Sequence, residues 1–130
     1  MPTGYKVVKK YGERYYSCSF SKTTDIGIVE YIIGQTSVPQ AGQGPLCIYQ
    51  KKEQAIDWID EWIGTDESIR AKYEILKCEY VESDAEYIFI VDRNILPTSA
   101  TLYNQTHKSQ LPAGTILADS ITPISTVRWE

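Results

Sequence analysis

The residues of this chain that could do chemistry are few and scattered. His107 is the only histidine, and the three cysteines, Cys18, Cys47 and Cys78, lie in separate strand-like segments. Nucleophilic catalysis needs a serine or cysteine beside a base, and no G-x-S-x-G turn accompanies the histidine. The spacing of the cysteines fits no zinc-binding pattern, and a single histidine supplies too few nitrogen ligands for a metal site. The sequence therefore predicts no catalytic set, no metal site and no cofactor.

Three polar residues keep a small enzyme open as an alternative. Glu30 lies within an apolar strand-like segment, so it is either a solvent-facing acid or a partly buried acid that pairs with a cation or lines a site. With His107 and Asp119 it could act on a nucleotide or an ADP-ribose compound. This alternative rests on fold analogy, because no motif supports it.

Tyrosine is the outlier of the composition, with 10 tyrosines against 2 phenylalanines. A strand tyrosine offers a large apolar ring and a hydroxyl group that needs a partner or water. The tyrosines either cover the faces of a small curved sheet or form a recognition surface for a base or another protein. The candidates for such a surface are Tyr15, Tyr16, Tyr31, Tyr49 and Tyr103.

Two long polar segments carry side chains suited to binding. Residues 34–44 (GQTSVPQAGQG) supply glutamine amides, and residues 92–112 are polar and irregular. Long connections in compact domains are often binding loops. Gly42-Gln43-Gly44 is only superficially like a phosphate-binding turn, since Cys47 stands where the dinucleotide pattern needs glycine. The predicted ligand-binding residues are Tyr31, Gln40, Gln43, Tyr103, His107, Thr115 and Asp119.

The element expected to position these segments is a helix over residues 51–64, KKEQAIDWIDEWIG. At roughly 100° per residue its apolar side chains share one arc, opposite its carboxylates. Gly64 follows the last apolar residue, as expected where a chain leaves a helix in a left-handed conformation. Trp58 and Trp62 lie on the apolar arc, so both indoles are predicted to be buried.

Strand-like segments lie on both sides of this helix. Residues 5–10 and 15–20 predict a hairpin, and residues 26–33 and 45–50 predict two more strands. After the helix, the pattern predicts strands at 69–81, at 87–91 in a central position, and at 114–118 and 121–127 around a bend at Asp119-Ser120. Within residues 69–81 the apolar residues alternate on one face up to Ile75 and on the other face from Leu76. Either a β-bulge occurs at this point, or both faces of the strand are covered by other elements.

Strands and helices do not alternate in this order, so a parallel sheet is not expected. The predicted fold class is α+β, a curved, mostly antiparallel sheet of about six to eight strands packed on one amphipathic helix. A length of 130 residues predicts a single domain.

Charge and hydropathy restrict the partners. The net charge of −4 argues against general nucleic-acid binding, and the one basic neighbourhood, Lys6, Lys9, Lys10 and Arg14, suits a solvated strand edge. No apolar run approaches the length of about 20 residues that spans a bilayer, and no secretory signal is visible. The odd number of cysteines favours reduced thiols. The sequence therefore predicts a cytoplasmic protein without membrane contact.

Five segments, YKVVKK, IVEYIIG, GPLCIY, ILKCEYVE and LPAGTILADSITPI, carry a family resemblance that covers nearly the whole chain. They resemble small uncharacterised α+β proteins of phages, large DNA viruses and some microbes. The resemblance implies an accessory protein of viral or microbial origin rather than a housekeeping enzyme, and it implies no catalytic residues.

Together, the missing catalytic set, the two polar segments and the tyrosine excess predict a non-enzymatic cytosolic binding protein. It would sequester a small polar ligand or block a host protein. The alternatives are the small enzyme described above and an assembly or interaction protein, which could form a homo-oligomer.

Overall fold

A computed structural model of the protein describes residues 2–17, 29–39, 45–89 and 105–129. A 3-10 turn at Lys108–Gln110 and two helices accompany the strands of these ranges. The elements are β1 (Thr3–Tyr11), β2 (Arg14–Ser17), β3 (Glu30–Tyr31), β4 (Leu46–Tyr49), α1 (Lys52–Trp62), α2 (Glu67–Arg70), β5 (Tyr73–Glu82), β6 (Tyr87–Phe89), β7 (Gln105–His107) and β8 (Thr115–Val127). The predicted α+β class with a mostly antiparallel sheet is confirmed.

Six strands form one curved sheet in the order β3-β2-β1-β4-β8-β5, and β5 also pairs with β1. The β1–β5 ladder runs from Thr3 opposite Glu79 to Lys9 opposite Tyr73. Because β5 pairs with both β8 and β1, the sheet turns back on itself and partly closes into a barrel. The segment after β3 joins the edge of β8, where Ser37 pairs with Ile121.

The sheet buries side chains on both of its faces. Val8 and Leu76 belong to a core inside the curved sheet, whereas Val7 and Ile75 belong to a second core beneath α1. Successive strand residues point to opposite faces, so each of these adjacent pairs contributes to both cores. For the change of face at Ile75-Leu76, the structure therefore shows a strand covered on both faces and not a bulge at these two residues.

Helix α1 packs on the outer face of the sheet through Ala55 and Ile59, which are fully buried. Trp58 is half-buried against the same core, but the prediction that Trp62 is buried is wrong, because that residue is 66% exposed. Trp62 lies on the apolar arc but in the last turn of the helix. A periodic pattern predicts which side of the helix a side chain lies on. It does not predict how far along the helix the sheet extends to cover that side. Gly64 has a φ of 89°, as predicted for the end of the helix.

The segment after α1 begins as a second helix and not as a strand. The Asp66 carboxylate accepts the backbone N–H of Ser68 at 2.9 Å and starts α2. The predicted strand over residues 69–81 therefore begins only at Tyr73.

The last strand is continuous through Asp119-Ser120, so the predicted bend between two strands is wrong. Val81 and Glu82 are neighbours on β5, but they face Ser120 and Ala118 on β8. Asp119 is therefore the extra residue of a β-bulge, and a second register shift occurs opposite Lys77 and Cys78. Bulges increase the bending and twist of a strand, which suits a sheet that curves into a partial barrel.

Two further strand predictions are corrected. Among the described strands, β6 pairs with β7 alone, in a separate two-stranded sheet, so it does not have the central position predicted for residues 87–91. The predicted strand over residues 26–33 is confirmed only at Glu30–Tyr31, because Ile32 and Ile33 follow it as exposed residues. Residues 18–20, 26–28 and 90–91 of the predicted strands lie outside the described ranges. No helix within those ranges is long and apolar enough to cross a bilayer.

Candidate functional site

Four of the seven predicted binding residues, Tyr31, His107, Thr115 and Asp119, lie in the described part of the chain. The surroundings of Tyr31, Thr115 and Asp119 differ from one another. Tyr31 is 1% exposed, and Lys6 Nζ lies 5.5 Å from the centre of its ring. Thr115 begins β8 and donates its hydroxyl to the Pro112 carbonyl at 2.6 Å. Asp119 is the exposed bulge residue. The predicted residues outside the described ranges are Gln40, Gln43 and Tyr103.

Glu30, named for the alternative enzyme, is half-buried and lies 4.0 Å from Arg14 Nε. Of the alternatives predicted for Glu30, the structure shows a partly buried acid paired with a cation and not a solvent-facing acid. A hydrogen bond with Tyr16 and the charge of Glu30 raise the pKa of Arg14 above its usual value. The pair therefore places a cation on β2 next to an anion on β3.

A cleft of about 770 Å³ opens where α2 meets the end of β8. Its walls come from α2, from the first residues of β5 and from the last described residues of the chain. Small-molecule sites usually have volumes of roughly 300–1,000 Å³ and combine aromatic walls with a few polar groups. The side chains that give this cleft its chemistry are Glu67, Arg70, Tyr73, Glu74, Arg128 and Trp129.

The stacked pair Arg70 and Trp129 forms one wall of the cleft. The guanidinium carbon lies 4.7 Å from the centre of the indole ring, within the range of a cation–π contact. Arg70 Nη1 also donates to Asp60 Oδ1 and to the Gly64 carbonyl, both at 2.7 Å. Through these contacts Arg70 connects α2 to the end of α1 and to Trp129.

A row of half-buried side chains continues the cleft across the outer face of the sheet. Tyr73, Lys9 and Tyr16 lie opposite one another on β5, β1 and β2, and Tyr11 completes this aromatic band. Lys9 Nζ lies 5.4 Å from the Tyr11 ring centre and 5.9 Å from that of Tyr73. The rings of Tyr11 and Tyr16 meet edge to face at 5.6 Å. Because Tyr73 also lines the cleft, the cleft and the aromatic band form one surface.

This surface carries charges of both signs. Arg128 is an exposed cation and Glu67 an exposed anion on the cleft wall. Glu74 is partly neutralised by Lys10, whose Nζ lies 3.6 Å from its carboxylate. Mixed charge is unlike the dominantly positive surface that binds a phosphate backbone.

His107 lies away from the lining of this cleft, in a hydrogen-bonded cluster of its own. Its Nε2 is 3.1 Å from Glu86 Oε2, and its Nδ1 is 2.8 Å from Ser109 Oγ. The hydrogen bond with His107, assisted by the charge of Lys108, lowers the pKa of Glu86. Ser109 could have been found from its spacing to the histidine, but Glu86 is brought close only by the pairing of β6 with β7.

The described cysteines are Cys47, which is half-buried, and Cys78, which is fully buried. Burial raises the pKa of Cys78 to about 12, which keeps that thiol protonated and unreactive. Within the ranges that the structure describes, no group of three or more histidine, cysteine, aspartate and glutamate side chains is placed to hold a metal ion.

Sequence reasoning named Tyr16 as a recognition residue but missed Arg70, Tyr73 and Trp129. Their juxtaposition depends on strand register and on the return of the chain end over α2, which no local motif records. Comparison of the chain with protein-family models, characterised proteins and solved structures found no match. The function must therefore be inferred from the cleft and the aromatic band.

Proposed function

We propose that this protein is a non-enzymatic binding protein that holds a small polar ligand in the cleft between α2 and β8. The cleft itself carries the proposal, because its volume of about 770 Å³ suits a small molecule. Its wall is fixed by the contacts of Arg70 with Asp60, Gly64 and Trp129. A site that is ordered in advance loses less conformational entropy on binding.

The lining points to a ring-bearing ligand with an anionic group. Tyr73 and Trp129 offer aromatic surface to a flat or ring-shaped portion of the ligand. Arg128 can donate to a carboxylate or phosphate, whereas Glu67 can accept from an amine or hydroxyl group. A single nucleotide or an aromatic carboxylate meets these requirements. A long polyanion does not, because the carboxylates of Glu67 and Glu74 in the cleft lining would repel it.

The direct experiment looks for a ligand that accompanies the protein. The protein is purified under native conditions and denatured, and the supernatant is analysed by mass spectrometry. In parallel, its melting temperature is measured against panels of nucleotides, aromatic acids and sugar acids. The proposal predicts a co-purified small molecule or a saturable rise in melting temperature. A clean supernatant together with no shift from any panel would contradict it.

The aromatic band supports a second candidate, the binding of a protein partner. Tyrosine and arginine are enriched at the energetic centres of protein interfaces. Tyr11, Tyr16 and the exposed Arg14 lie together on the β1–β2 hairpin, beyond the cleft lining. A protein partner captured from a host lysate should be lost from the Tyr16→Ala variant, while that variant still binds a small ligand in the cleft.

A further inference from the structure

The cluster around His107 links a hydroxyl group, an imidazole and a carboxylate in series. Ser109 Oγ lies 2.8 Å from His107 Nδ1, and His107 Nε2 lies 3.1 Å from Glu86 Oε2. A nucleophile beside a base, with the base oriented by a third group, is the arrangement that activates serine in proteins. Ser109 is exposed, so a reagent in solution can reach its hydroxyl.

The neighbouring backbone fixes the position of the ring proton. The backbone N–H of Ser109 donates to His107 Nδ1 at 3.1 Å, so Nδ1 is an acceptor. The ring proton of the neutral imidazole therefore lies on Nε2 and is donated to Glu86. The Ser109 hydroxyl then donates to Nδ1, which is the nitrogen able to take its proton.

The carboxylate is held in its charged form from two sides. Lys108 Nζ lies 3.6 Å from Glu86 Oε1, while His107 occupies Oε2. The backbone N–H of Lys108 also donates to the Glu86 carbonyl at 2.8 Å, which ties the 3-10 turn to the residue before β6. A charged Glu86 stabilises the imidazolium that forms when His107 accepts a proton.

A second serine in the chain has the same local geometry without the imidazole. Ser68 donates its backbone N–H and its hydroxyl to the Asp66 carboxylate, at 2.9 and 2.7 Å. It is exposed and lies two residues after its acceptor, as Ser109 does after His107. Hydrogen bonds from Ser68 lower the pKa of Asp66, which makes that carboxylate a poor base. Ser68 is therefore a matched internal reference.

We propose that Ser109 is a modification site that accepts an acyl group from a reactive carboxylic ester, with His107 as its general base. Ser109 Oγ forms a bond to the carbonyl carbon while its proton passes to His107 Nδ1. The bond from that carbon to the leaving alkoxide or phenolate breaks, and the leaving group takes the proton from the imidazole. The products are an acyl-serine and an alcohol or phenol. This site is separate from the cleft and independent of the proposed binding function.

The test uses p-nitrophenyl acetate as the acyl donor and the whole chain as the acceptor. Acetylated residues are located by peptide mapping, and the rates at Ser109 and Ser68 are compared in the same sample. In the variants, His107→Asn retains a side-chain acceptor for the Ser109 N–H but removes the base, and Ser68→Ala serves as the control. We expect Ser109 to react at least about tenfold faster than Ser68, consistent with general-base assistance.

The variants decide the role of the imidazole. His107→Asn should reduce the rate at Ser109 by at least about tenfold, whereas Ser68→Ala should leave it unchanged. Glu86→Gln should reduce it to a smaller extent, because the carboxylate acts only through His107. Equal rates at Ser109 and Ser68, or an unchanged Ser109 rate in His107→Asn, would overturn the proposal.

Discussion

The contrast between Trp129 and Trp62 shows how position decides the use of a side chain. Both are indoles near the ends of their segments, but Trp129 lies beneath a guanidinium group in the cleft wall, whereas Trp62 is 66% exposed. Residue type and spacing favoured Trp62 as a core residue, and nothing local distinguished Trp129. At the scale of single residues, the sequence therefore predicted chemistry less well than it predicted fold.

The exposed cation of the cleft should contribute directly to ligand affinity. Replacing Arg128 with alanine removes a charge-assisted hydrogen bond to the anionic group, a loss of about 1.5–3 kcal/mol, or roughly 10- to 150-fold in Kd. Lys77→Ala provides the control, because it removes an exposed cation from β5 outside the cleft lining. Calorimetric titration with the recovered ligand measures both effects. Equal affinities for the two variants would exclude Arg128 from the site.

The buried thiol gives a prediction of pH dependence. Cys78 is fully buried and its pKa is raised to about 12, whereas an unfolded thiol ionises near pH 8.5. Burial of the neutral Cys78 thiol therefore costs no free energy of unfolding below about pH 8.5. As the pH rises from there toward the pKa of the folded chain, the free energy of unfolding falls, because the thiol of the unfolded chain ionises first. At pH 8.5 iodoacetamide should modify the half-buried Cys47 while leaving Cys78 intact until urea unfolds the chain. Native Cys78 reacting as fast as Cys47 would contradict this burial.

At the scale of elements, the periodic pattern predicted the type of most segments and misplaced several of their ends. The helix, the β1–β2 hairpin and strand β4 follow directly from period and turn residues. The start of α2 was missed although Asp66-Glu67-Ser68 contains its capping signal. The continuity of β8 could not be predicted, because a turn-forming pair such as Asp119-Ser120 also fits a bulge, and only the register with β5 decides between them.

Helix α1 offers a matched pair of substitutions that tests its packing. Ile59→Ala empties a fully buried position between the helix and the sheet and should cost about 3 kcal/mol of unfolding free energy. Trp62→Ala removes a larger but exposed side chain and should cost less than about 0.5 kcal/mol. Urea denaturation measures both values. A larger loss from Trp62→Ala than from Ile59→Ala would reverse the assignment of the helix face.

At the scale of the whole molecule, strand β1 organises the structure because it pairs with β2, β4 and β5. The same strand separates the two cores and presents Lys9 and Tyr11 to the aromatic band. The β-branched and aromatic residues of this segment allowed a strand to be predicted. Its three partners could not be predicted, because strand pairing depends on residues far apart in the chain.

Closure of the sheet depends on a close backbone approach at Gly4. A side-chain carbon at this position would lie 2.8 Å from the Tyr49 carbonyl oxygen, so Gly4→Ala must push β4 away from β1. Overpacking of this kind costs about 1–3 kcal/mol, and it should lower the melting temperature by several degrees. The exposed neighbour supplies the control, Thr3→Ala, which should have a much smaller effect. A Gly4→Ala protein as stable as the control would show that β4 does not lie against β1.

The most direct test of the proposed binding function follows the three indole N–H signals, of Trp58, Trp62 and Trp129, by NMR during titration with the ligand recovered from the protein. The cleft predicts that the Trp129 signal shifts progressively and saturates, because its ring forms part of the wall. The Trp62 signal should stay in place, since that side chain lies outside the cleft lining. Saturable binding that leaves the Trp129 signal unmoved would contradict the assignment of the cleft as the binding site.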